Sequence, residues 1–278
     1  MKYESRYSTN PLDFKHYDTK RTREQYLIPQ LFEVDEIMLT YTHEDRFIAG
    51  GAFPMSKALK LETIEPLKAD YFLHRRELGV VNVGGKGEVS VDGVAYVLDY
   101  KEALYVGSGD KEVIFKSLDS AAPAQFYLNS TPAHQSFPNK KIGREDAIQI
   151  ELGSPETANH RMLNKLIVNE TVETCQLQMG MTALQNGSVW NTMPAHVHDR
   201  RMEVYFYFEV PEDQAVMHLM GEQEESRHIW MHDKQAVISP AWSMHSGAGT
   251  ASYTFIWGMA GENLDYGDMD IFKITDLK

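Results

Sequence analysis

Cysteine is almost absent from this sequence, which has Cys175 alone among its 278 residues. One thiol cannot form an intramolecular disulfide, so the chain is not a small secreted scaffold held together by disulfides. Long apolar runs are also lacking, since residues 204–208 form a run far shorter than the roughly 20 residues of a membrane helix. The first 26 residues are polar and contain no apolar segment typical of a secretory signal. These absences predict a soluble, cytoplasmic protein without a membrane partner.

Basic residues are outnumbered, with 27 Lys and Arg against 40 Asp and Glu, and the formal net charge is −13. Binding to nucleic-acid phosphates needs a basic surface, so the composition argues against a nucleic-acid partner. By contrast, 42% hydrophobic and 11% aromatic residues supply ample material for a folded core. The length is sufficient for two domains.

Short β-rich runs separated by turn signals fill most of the chain from Leu31 onward. Asp92-Gly93 lies between two alternating apolar runs, and this dipeptide favours a two-residue hairpin turn. Many short strands with few helical patterns predict an all-β sandwich or barrel. The first 30 residues instead predict an arm with a short helix near residues 21–26.

The β pattern runs along the chain twice, which suggests an internal duplication. A pair of arginines precedes an apolar strand at residues 75–76 and again at residues 200–201, an offset of 125. Residues 103–112 match residues 236–245 in outline, an offset of 133. The difference between the offsets corresponds to an insertion of about one loop.

Residues 130–160 separate the two halves, because Pro, Ser, Asn and charged residues concentrate there. We therefore predict an N-terminal barrel with its arm over residues 1–150 and a C-terminal barrel over residues 151–278.

The second half contains a concentration of side chains that bind metals. His196 and His198 project to the same face of a strand, because side chains alternate along it. Glu203 falls on the other face of a continuous strand, but the polar residues 199–201 predict a turn that returns it on a neighbouring strand. Two imidazoles and a carboxylate together form a donor set for a divalent transition metal. The pair alone is equally compatible with structural histidines at a barrel rim.

A further histidine, His245, follows a β-run and Pro240. The pattern His-x-His-x4-Glu followed by Pro-x4-His resembles the two metal motifs of the cupin superfamily, whose members are double-stranded β-helix barrels. The sequence departs from those motifs in the flanking loops, where Trp242 replaces a usual glycine and no glycine follows Glu203 at the usual place. The four ligand positions themselves are intact.

Longer runs resemble the family of 5-keto-4-deoxyuronate isomerases, which are ketol-isomerases of pectin and uronate breakdown. The runs are NTMPAHVHDRRMEVYFYF, QAVISPAWSMHSGAGTASYTFIWGMAGEN, RRELGVVNVGG and ALYVGSGDKEV. The resemblance implies a bicupin of two jelly-roll barrels with few short helices, a homohexamer and one Zn²⁺ per chain. The zinc ligands that it implies are His196, His198, Glu203 and His245. Mn²⁺ and Fe²⁺ accept the same ligands, and the sequence does not choose among these ions.

The first half lacks these ligands when the two halves are aligned on the arginine pairs. Tyr71, Leu73 and Leu78 stand where the second half has its paired histidines and glutamate, and Glu112 stands in place of the later histidine. Phenol and leucine side chains cannot form this metal shell. We therefore predict that the first barrel has no metal.

The implied reaction converts 5-dehydro-4-deoxy-D-glucuronate to 3-deoxy-D-glycero-2,5-hexodiulosonate through an enediolate that a metal stabilises as a Lewis acid. Glu203 and Tyr205 are the candidate catalytic groups, because alternation brings Tyr205 and Tyr207 inward if Glu203 points inward. Tyr207, Glu222 and His232 stay open as alternatives for the proton transfer, although barrel packing is the commoner role of such tyrosines and a surface position that of the other two. Arg161, Lys165 and Arg201 are candidates for binding the substrate carboxylate.

Two alternatives from other classes stay open. A cupin dioxygenase also holds its metal with three histidines and a glutamate, and oxygen uptake distinguishes it. A non-catalytic, sugar-binding bicupin is distinguished by a substituted ligand set, which the second half does not show.

Overall fold

β-strands dominate the computed structural model, which describes residues 1–262 and 264–278. Strands take 45% of the residues and helices 8%, which confirms the predicted all-β class. None of the helices in this part of the chain combines the length and apolarity of a membrane-crossing segment.

The chain forms two compact units. The first comprises Met1–Arg6, Gln30–Ala147 and Leu166–Met179, and the second comprises Tyr7–Pro29, Ile148–Lys165 and Gly180–Lys278.

The first unit contains a seven-stranded and a four-stranded sheet. With strands numbered in chain order, the seven-stranded sheet has, from edge to edge, β1 (Lys2–Arg6), β3 (Ile37–Thr42), β4 (Ile48–Ala52), β11 (Phe126–Pro132), β6 (Arg76–Asn82), β9 (Ala103–Val106) and β12 (Lys140–Ile142). The four-stranded sheet has β5 (Leu59–Lys60), β10 (Val113–Ser117), β7 (Gly87–Val91) and β8 (Val94–Leu98). Asp92 and Gly93 form the predicted hairpin turn between β7 and β8, both with positive φ.

The second unit contains a seven-stranded and a five-stranded sheet. The seven-stranded sheet has, in order, β13 (Ile148–Leu152), β14 (Arg161–Ile167), β15 (Gln178–Leu184), β22 (Thr254–Gly261), β17 (Arg201–Phe208), β20 (Gln235–Ser239) and β2 (Leu27–Ile28). The five-stranded sheet has β19 (Glu225–Met231), β18 (Val216–Glu222), β21 (Met244–Gly249), β16 (Trp190–Val197) and β23 (Asp270–Ile271). The helices of the chain are α1 (Pro11–Phe14), α2 (Thr19–Tyr26) and 3₁₀ turns at Glu65–Leu67, Pro155–Thr157 and Ile274–Asp276.

The two units repeat the same strand order. In the first unit β6 lies between β11 and β9, and in the second β17 lies between β22 and β20. Leu78 on β6 is paired with Val106 on β9, and Glu203 on β17 is paired with Ser239 on β20. These pairs differ by the offsets 125 and 133 that the sequence predicted, so the duplication extends to the register of the strands.

The N-terminal arm differs from its predicted place. A single boundary at residue 150 assigns the whole arm to the first barrel, but residues 7–29 belong to the second unit. The predicted helix is α2, capped by the Asp18 carboxylate, which accepts from the Arg21 N–H at 2.7 Å. Phe14 is buried against Trp242, with the ring centroids 5.2 Å apart. These long-range aromatic contacts hold the arm, and no local pattern in the sequence indicates them.

Candidate metal centre

Four side chains of the second unit bring their donor atoms together: His196, His198, Glu203 and His245. All four donor atoms lie within 4.8 Å of one another. The Nε2 of His196 lies 3.1 Å from the Nε2 of His198 and 3.1 Å from that of His245. The Oε2 of Glu203 lies 2.9 Å from the Nε2 of His245 and 3.4 Å from that of His198. The set predicted from the sequence therefore converges in the fold.

Strand pairing accounts for the meeting of the three imidazoles. His196 on β16 lies directly opposite His245 on β21, and side chains of opposed residues on one face are neighbours. The register of this pair shifts between Asn191 and His196, so the strand is irregular just before the first histidine. His198 follows the end of β16, where its carbonyl accepts from the Arg201 N–H at 3.2 Å and starts the predicted turn.

Glu203 reaches the cluster by a different route from the one predicted. The sequence suggests a neighbouring strand, but β17 belongs to the seven-stranded sheet, whereas β16 and β21 belong to the five-stranded sheet. The carboxylate therefore comes from the opposite sheet of the same barrel. Residues that alternate inward on two stacked sheets meet between them, and this brings the fourth donor to the three imidazoles.

Hydrogen bonds at the Nδ1 atoms orient the imidazoles. The Nδ1 of His198 lies 2.6 Å from the carbonyl oxygen of Asp268, to which it donates. The hydroxyl of Ser239 donates to the Ser243 carbonyl, and its oxygen is left to accept from the Nδ1 of His245 at 3.2 Å. We assign the proton of both rings to Nδ1 on this basis. Each Nε2 then directs a lone pair at the centre of the cluster, as metal-binding histidines do.

The electrostatics of the cluster favour a neutral His196 imidazole beside a charged Glu203 carboxylate. Burial, and then the neighbouring His245 and His198, lower the pKa of His196 to about 2. Burial alone raises the pKa of Glu203, but the adjacent imidazoles outweigh burial and hold this pKa well below its usual value. Metal ligation requires this protonation state, because a protonated ring has no lone pair to donate.

The donor set fits a divalent transition metal. Ligands that lie about 2.0–2.1 Å from one zinc ion are roughly 3.3 Å apart at a tetrahedral angle. Four of the six distances between these donor atoms are 2.9–3.4 Å, and all lie within 4.8 Å. Lone pairs of neutral imidazoles that face each other repel, and a cation at the centre satisfies them all. Nitrogen donors with one carboxylate suit Zn²⁺, Fe²⁺ or Mn²⁺ better than Ca²⁺ or Mg²⁺.

A cavity of about 350 Å³ opens beside the cluster in the same unit. Its wall includes His196, His198 and Glu203 together with aromatic and aliphatic side chains of several strands. Pockets of this size that combine apolar walls with a few convergent polar groups commonly bind small molecules.

Tyr205 lies on this cavity wall, next but one to Glu203 on β17. Its hydroxyl lies 3.0 Å from the Oγ1 of Thr192, and its ring centroid lies 5.3 Å from that of His245. Burial, and then the charge of Glu203, raise the pKa of Tyr205 well above its usual value. The phenol is therefore neutral and available as a hydrogen-bond donor.

Two of the three predicted carboxylate-binding cations line the cavity. Arg161 is fixed by a 2.8 Å hydrogen bond from its Nη1 to the Asn159 carbonyl, and burial lowers its pKa from the usual range. The Nζ of Lys165 lies 4.3 Å from the ring centroid of Tyr266, within the range of a cation–π contact.

Arg201, the third predicted cation, is not among the residues that line the cavity. Its side chain is 1% exposed and lies behind the cluster, where Nη2 is 3.0 Å from the Nδ1 of His198 and 3.4 Å from the Asp268 carbonyl. The paired-Arg motif does not distinguish these roles, because the direction of the side chain depends on the turn that follows β16.

Sequence reasoning missed Tyr266 and Met269, which reach the cavity from the segment that follows β22. Burial raises the pKa of Tyr266 to about 12, so its phenol is also neutral. Trp257 lines the cavity too, and its buried Nε1 has no hydrogen-bond partner among the described residues. Tyr266 and Met269 lie in an irregular segment, which carries no periodic signal that could indicate them.

Comparison with known proteins extends over the whole chain. Residues 27–273 match the model of the KduI/IolB family. The 4-deoxy-L-threo-5-hexosulose-uronate ketol-isomerase of Formosa agariphila is 63% identical over 277 residues, covering 100% of this chain and 99% of the relative. The protein of the same name from Bacteroides fragilis is 59% identical over 276 residues, covering 99% of each chain.

Solved structures of low sequence identity share the fold. An IolB-like protein from Salmonella typhimurium superposes with a TM-score of 0.69 at 12% identity, covering 89% of this chain and 96% of that one. An oxalate decarboxylase from Lactobacillus farciminis superposes with a TM-score of 0.56 at 10% identity, covering 81% of this chain and 79% of that one. The first agrees with the family match and the second with the predicted cupin architecture. The chain belongs to the KduI/IolB family.

Proposed function

We propose that this chain is a zinc-dependent ketol-isomerase that converts 5-dehydro-4-deoxy-D-glucuronate to 3-deoxy-D-glycero-2,5-hexodiulosonate. The observation that supports the proposal is the convergence of four donors beside a cavity, namely His196, His198, Glu203 and His245. The chain is also 63% identical to a relative named 4-deoxy-L-threo-5-hexosulose-uronate ketol-isomerase. A metal held by these donors supplies Lewis acidity to the oxygens on which negative charge develops.

The cavity offers the substrate carboxylate two cations. Arg161 and Lys165 both extend from β14, four residues apart, and line the same cavity as the donor cluster. We propose that Arg161 binds the carboxylate through its planar fork and that Lys165 adds a second charge. The open-chain sugar is thereby oriented with its aldehyde end toward the four donors.

Two residues of β17 are placed to handle the proton that moves between C2 and C1. Glu203 is the only carboxylate on the described cavity wall, and its Oε2 faces the imidazoles. We propose that its other oxygen accepts the proton. Tyr205 keeps its own proton, since burial raises its pKa, so its hydroxyl can donate a hydrogen bond to a substrate oxygen.

The test is direct conversion of the substrate. Metal-loaded protein incubated with the 4-deoxy-5-keto uronate is expected to produce a new ketone carbon by ¹³C NMR, without oxygen uptake. Oxygen consumption coupled to substrate loss would support the dioxygenase class instead. Unchanged substrate in the presence of stoichiometric metal would overturn the proposal.

The remaining properties that the family resemblance implies are also proposals. Zinc is favoured because it has no redox chemistry to divert an enediolate, and metal analysis of protein purified without added metal tests this choice. A homohexamer and a cytoplasmic role in pectin degradation stay predictions. Light scattering of the purified chain measures the number of subunits.

A further inference from the structure

A second cavity, of about 810 Å³, lies wholly in the first unit. We call it the basic cavity, because its wall carries five basic side chains: Arg46, His74, Arg75, Arg76 and His134. None of the described residues that line it is an aspartate or a glutamate, although acidic residues outnumber Lys and Arg by 40 to 27 in the chain. Such a separation of charge indicates a site for an anion.

Arg76 is the buried member of this group, with 5% of its surface exposed. Its Nε donates to the Ser130 hydroxyl at 3.1 Å, and its Nη2 donates to the carbonyls of Ser130 and Arg46 at 2.7 and 2.8 Å. All these acceptors are neutral. Among the described residues, no carboxylate pairs with the guanidinium and no acceptor binds its Nη1.

Glu77, the acid next to Arg76 in the chain, makes no hydrogen bond to the guanidinium, because its carboxylate oxygens are engaged elsewhere. Its oxygens accept from the Tyr105 hydroxyl at 2.7 Å and from the main-chain N–H groups of residues 175–177 at 2.8–2.9 Å. Four donors fill its hydrogen-bonding capacity. Glu77 is also fully buried and does not line the basic cavity.

Among the described residues, Arg76 therefore has no hydrogen-bonded carboxylate partner, and the charge of Glu77 acts on it only through space. Burial lowers its pKa to about 9, so the guanidinium stays protonated at neutral pH. A buried cation without a paired anion is unfavourable, and a bound oxyanion removes the cost.

Arg75 strengthens the site. Its Nη2 donates to the carbonyls of Leu67 and Lys68 at 3.1 and 2.9 Å, which holds an exposed arginine at the cavity wall. His74, the next wall residue, is stacked on the ring of Tyr71 with the centroids 4.8 Å apart.

We propose that the basic cavity is a second ligand site, which binds a sugar-sized molecule bearing a carboxylate or a phosphate group. Arginine forks bind both groups through paired hydrogen bonds. The volume of about 810 Å³ lies within the range of small-molecule sites. This site shares no residue with the metal centre and does not depend on the function proposed for it.

The test is calorimetric titration of the full-length, metal-loaded protein with inorganic phosphate and with D-glucuronate, using D-glucose as the neutral control. Either anion is expected to bind, and glucose is not. The double variant Arg46→Gln, Arg75→Gln alters exposed side chains and is expected to weaken binding about tenfold or more. Arg144→Gln, which removes an exposed arginine of the same unit outside the cavity, is expected to have no effect.

The two probes and a third variant separate the outcomes. Binding of phosphate alone assigns a phosphate ligand, and binding of glucuronate alone assigns a carboxylate ligand. Arg161→Gln controls for binding at the metal-centre cavity. Anion binding that is lost in Arg161→Gln but kept in the double variant would overturn the proposal, as would absence of binding by both anions.

Discussion

The two barrels of this protein share a strand order but fill their interiors differently. In the first barrel, Leu78 on β6 and Leu73 just before this strand belong to one aliphatic and aromatic core. In the second barrel the corresponding positions, 125 residues later, hold His198 and Glu203. The same backbone frame thus holds apolar core side chains at these positions in one unit and polar donor side chains at the matching positions in the other.

The remaining two ligand positions differ in exposure as well as in chemistry. Tyr71, which stands in place of His196, is half-buried and stacked on His74. Glu112, which stands in place of His245, is exposed and forms an ion pair with Lys60. At these two positions the first barrel therefore has a half-buried phenol and an exposed carboxylate in place of two imidazoles.

The largest expected difference between the barrels is in metal binding, and alanine substitutions at matched positions test it. We expect His198→Ala to remove the bound metal and to lower kcat/KM about 10³-fold or more, because several kcal/mol of charge stabilisation is lost. Leu73→Ala is the matched control and is expected to retain full metal content. Metal analysis and initial rates on both variants check this. A fully metallated, active His198→Ala protein would contradict the role assigned to the cluster.

The apolar core of the first barrel predicts a large loss of stability for a different substitution. Leu78 is 1% exposed, and removing its side chain leaves a cavity. We expect Leu78→Ala to lower the free energy of unfolding of the first unit by about 2–5 kcal/mol. Denaturant unfolding measures the change, and metal content should be unaffected. A change within about 0.5 kcal/mol would show that the core around Leu78 is looser than its burial indicates.

Much of this comparison was predictable from the sequence, because the signals are local. Strand alternation, the hairpin at Asp92-Gly93 and the paired arginines predicted the β class and the offsets between the halves. Strand registers reproduce those offsets, with Leu78 opposite Val106 and Glu203 opposite Ser239. The four donors were predictable because two short motifs carry them all.

The features that sequence reasoning missed depend on contacts between distant segments. Residues 7–29 pack on the second unit through Phe14 and Trp242, and no spacing along the chain encodes that pairing. Arg201 points behind His198 because of a turn whose side-chain direction no motif specifies. Tyr266 reaches the cavity from an irregular segment. Where a side chain points after a turn is a tertiary property, and alternation does not predict it.

A smaller effect is expected at Ser239, whose hydroxyl oxygen accepts from the Nδ1 of His245 at 3.2 Å. Its counterpart in the first barrel is Val106, which has no such role. We expect Ser239→Ala to weaken metal affinity about 10–100-fold while leaving the ligands in place, because the ring loses its orienting partner. Competition with a chromophoric chelator measures the affinity. Val106→Ala is the matched control, and an equal loss of affinity in both variants would assign the effect to packing.

The smallest expected effect is a dependence of stability on pH that a buried histidine gives to the second barrel. His218 on β18 is fully buried, and its Nδ1 lies 2.8 Å from the Tyr207 hydroxyl. Burial, and then the neighbouring His245, lower the pKa of His218 to about 3. The equivalent strand of the first barrel, β7, contains no histidine.

The sign of the effect follows from proton uptake. Below about pH 6.5 an unfolded chain protonates this histidine, whereas the folded chain does so only near pH 3, so acid favours unfolding over that window. We expect this histidine to lower the free energy of unfolding of the second unit by about 1.4 kcal/mol for each pH unit of acidification. The variant His218→Asn lacks this contribution, so its free energy of unfolding should fall less steeply with acidification by about the same amount. Denaturant unfolding of both proteins in matched buffers between pH 6.5 and 5 isolates the contribution, because the titration of all other groups is shared. Equal pH dependence in the two proteins would mean that His218 is protonated in the fold, despite its burial beside Tyr207.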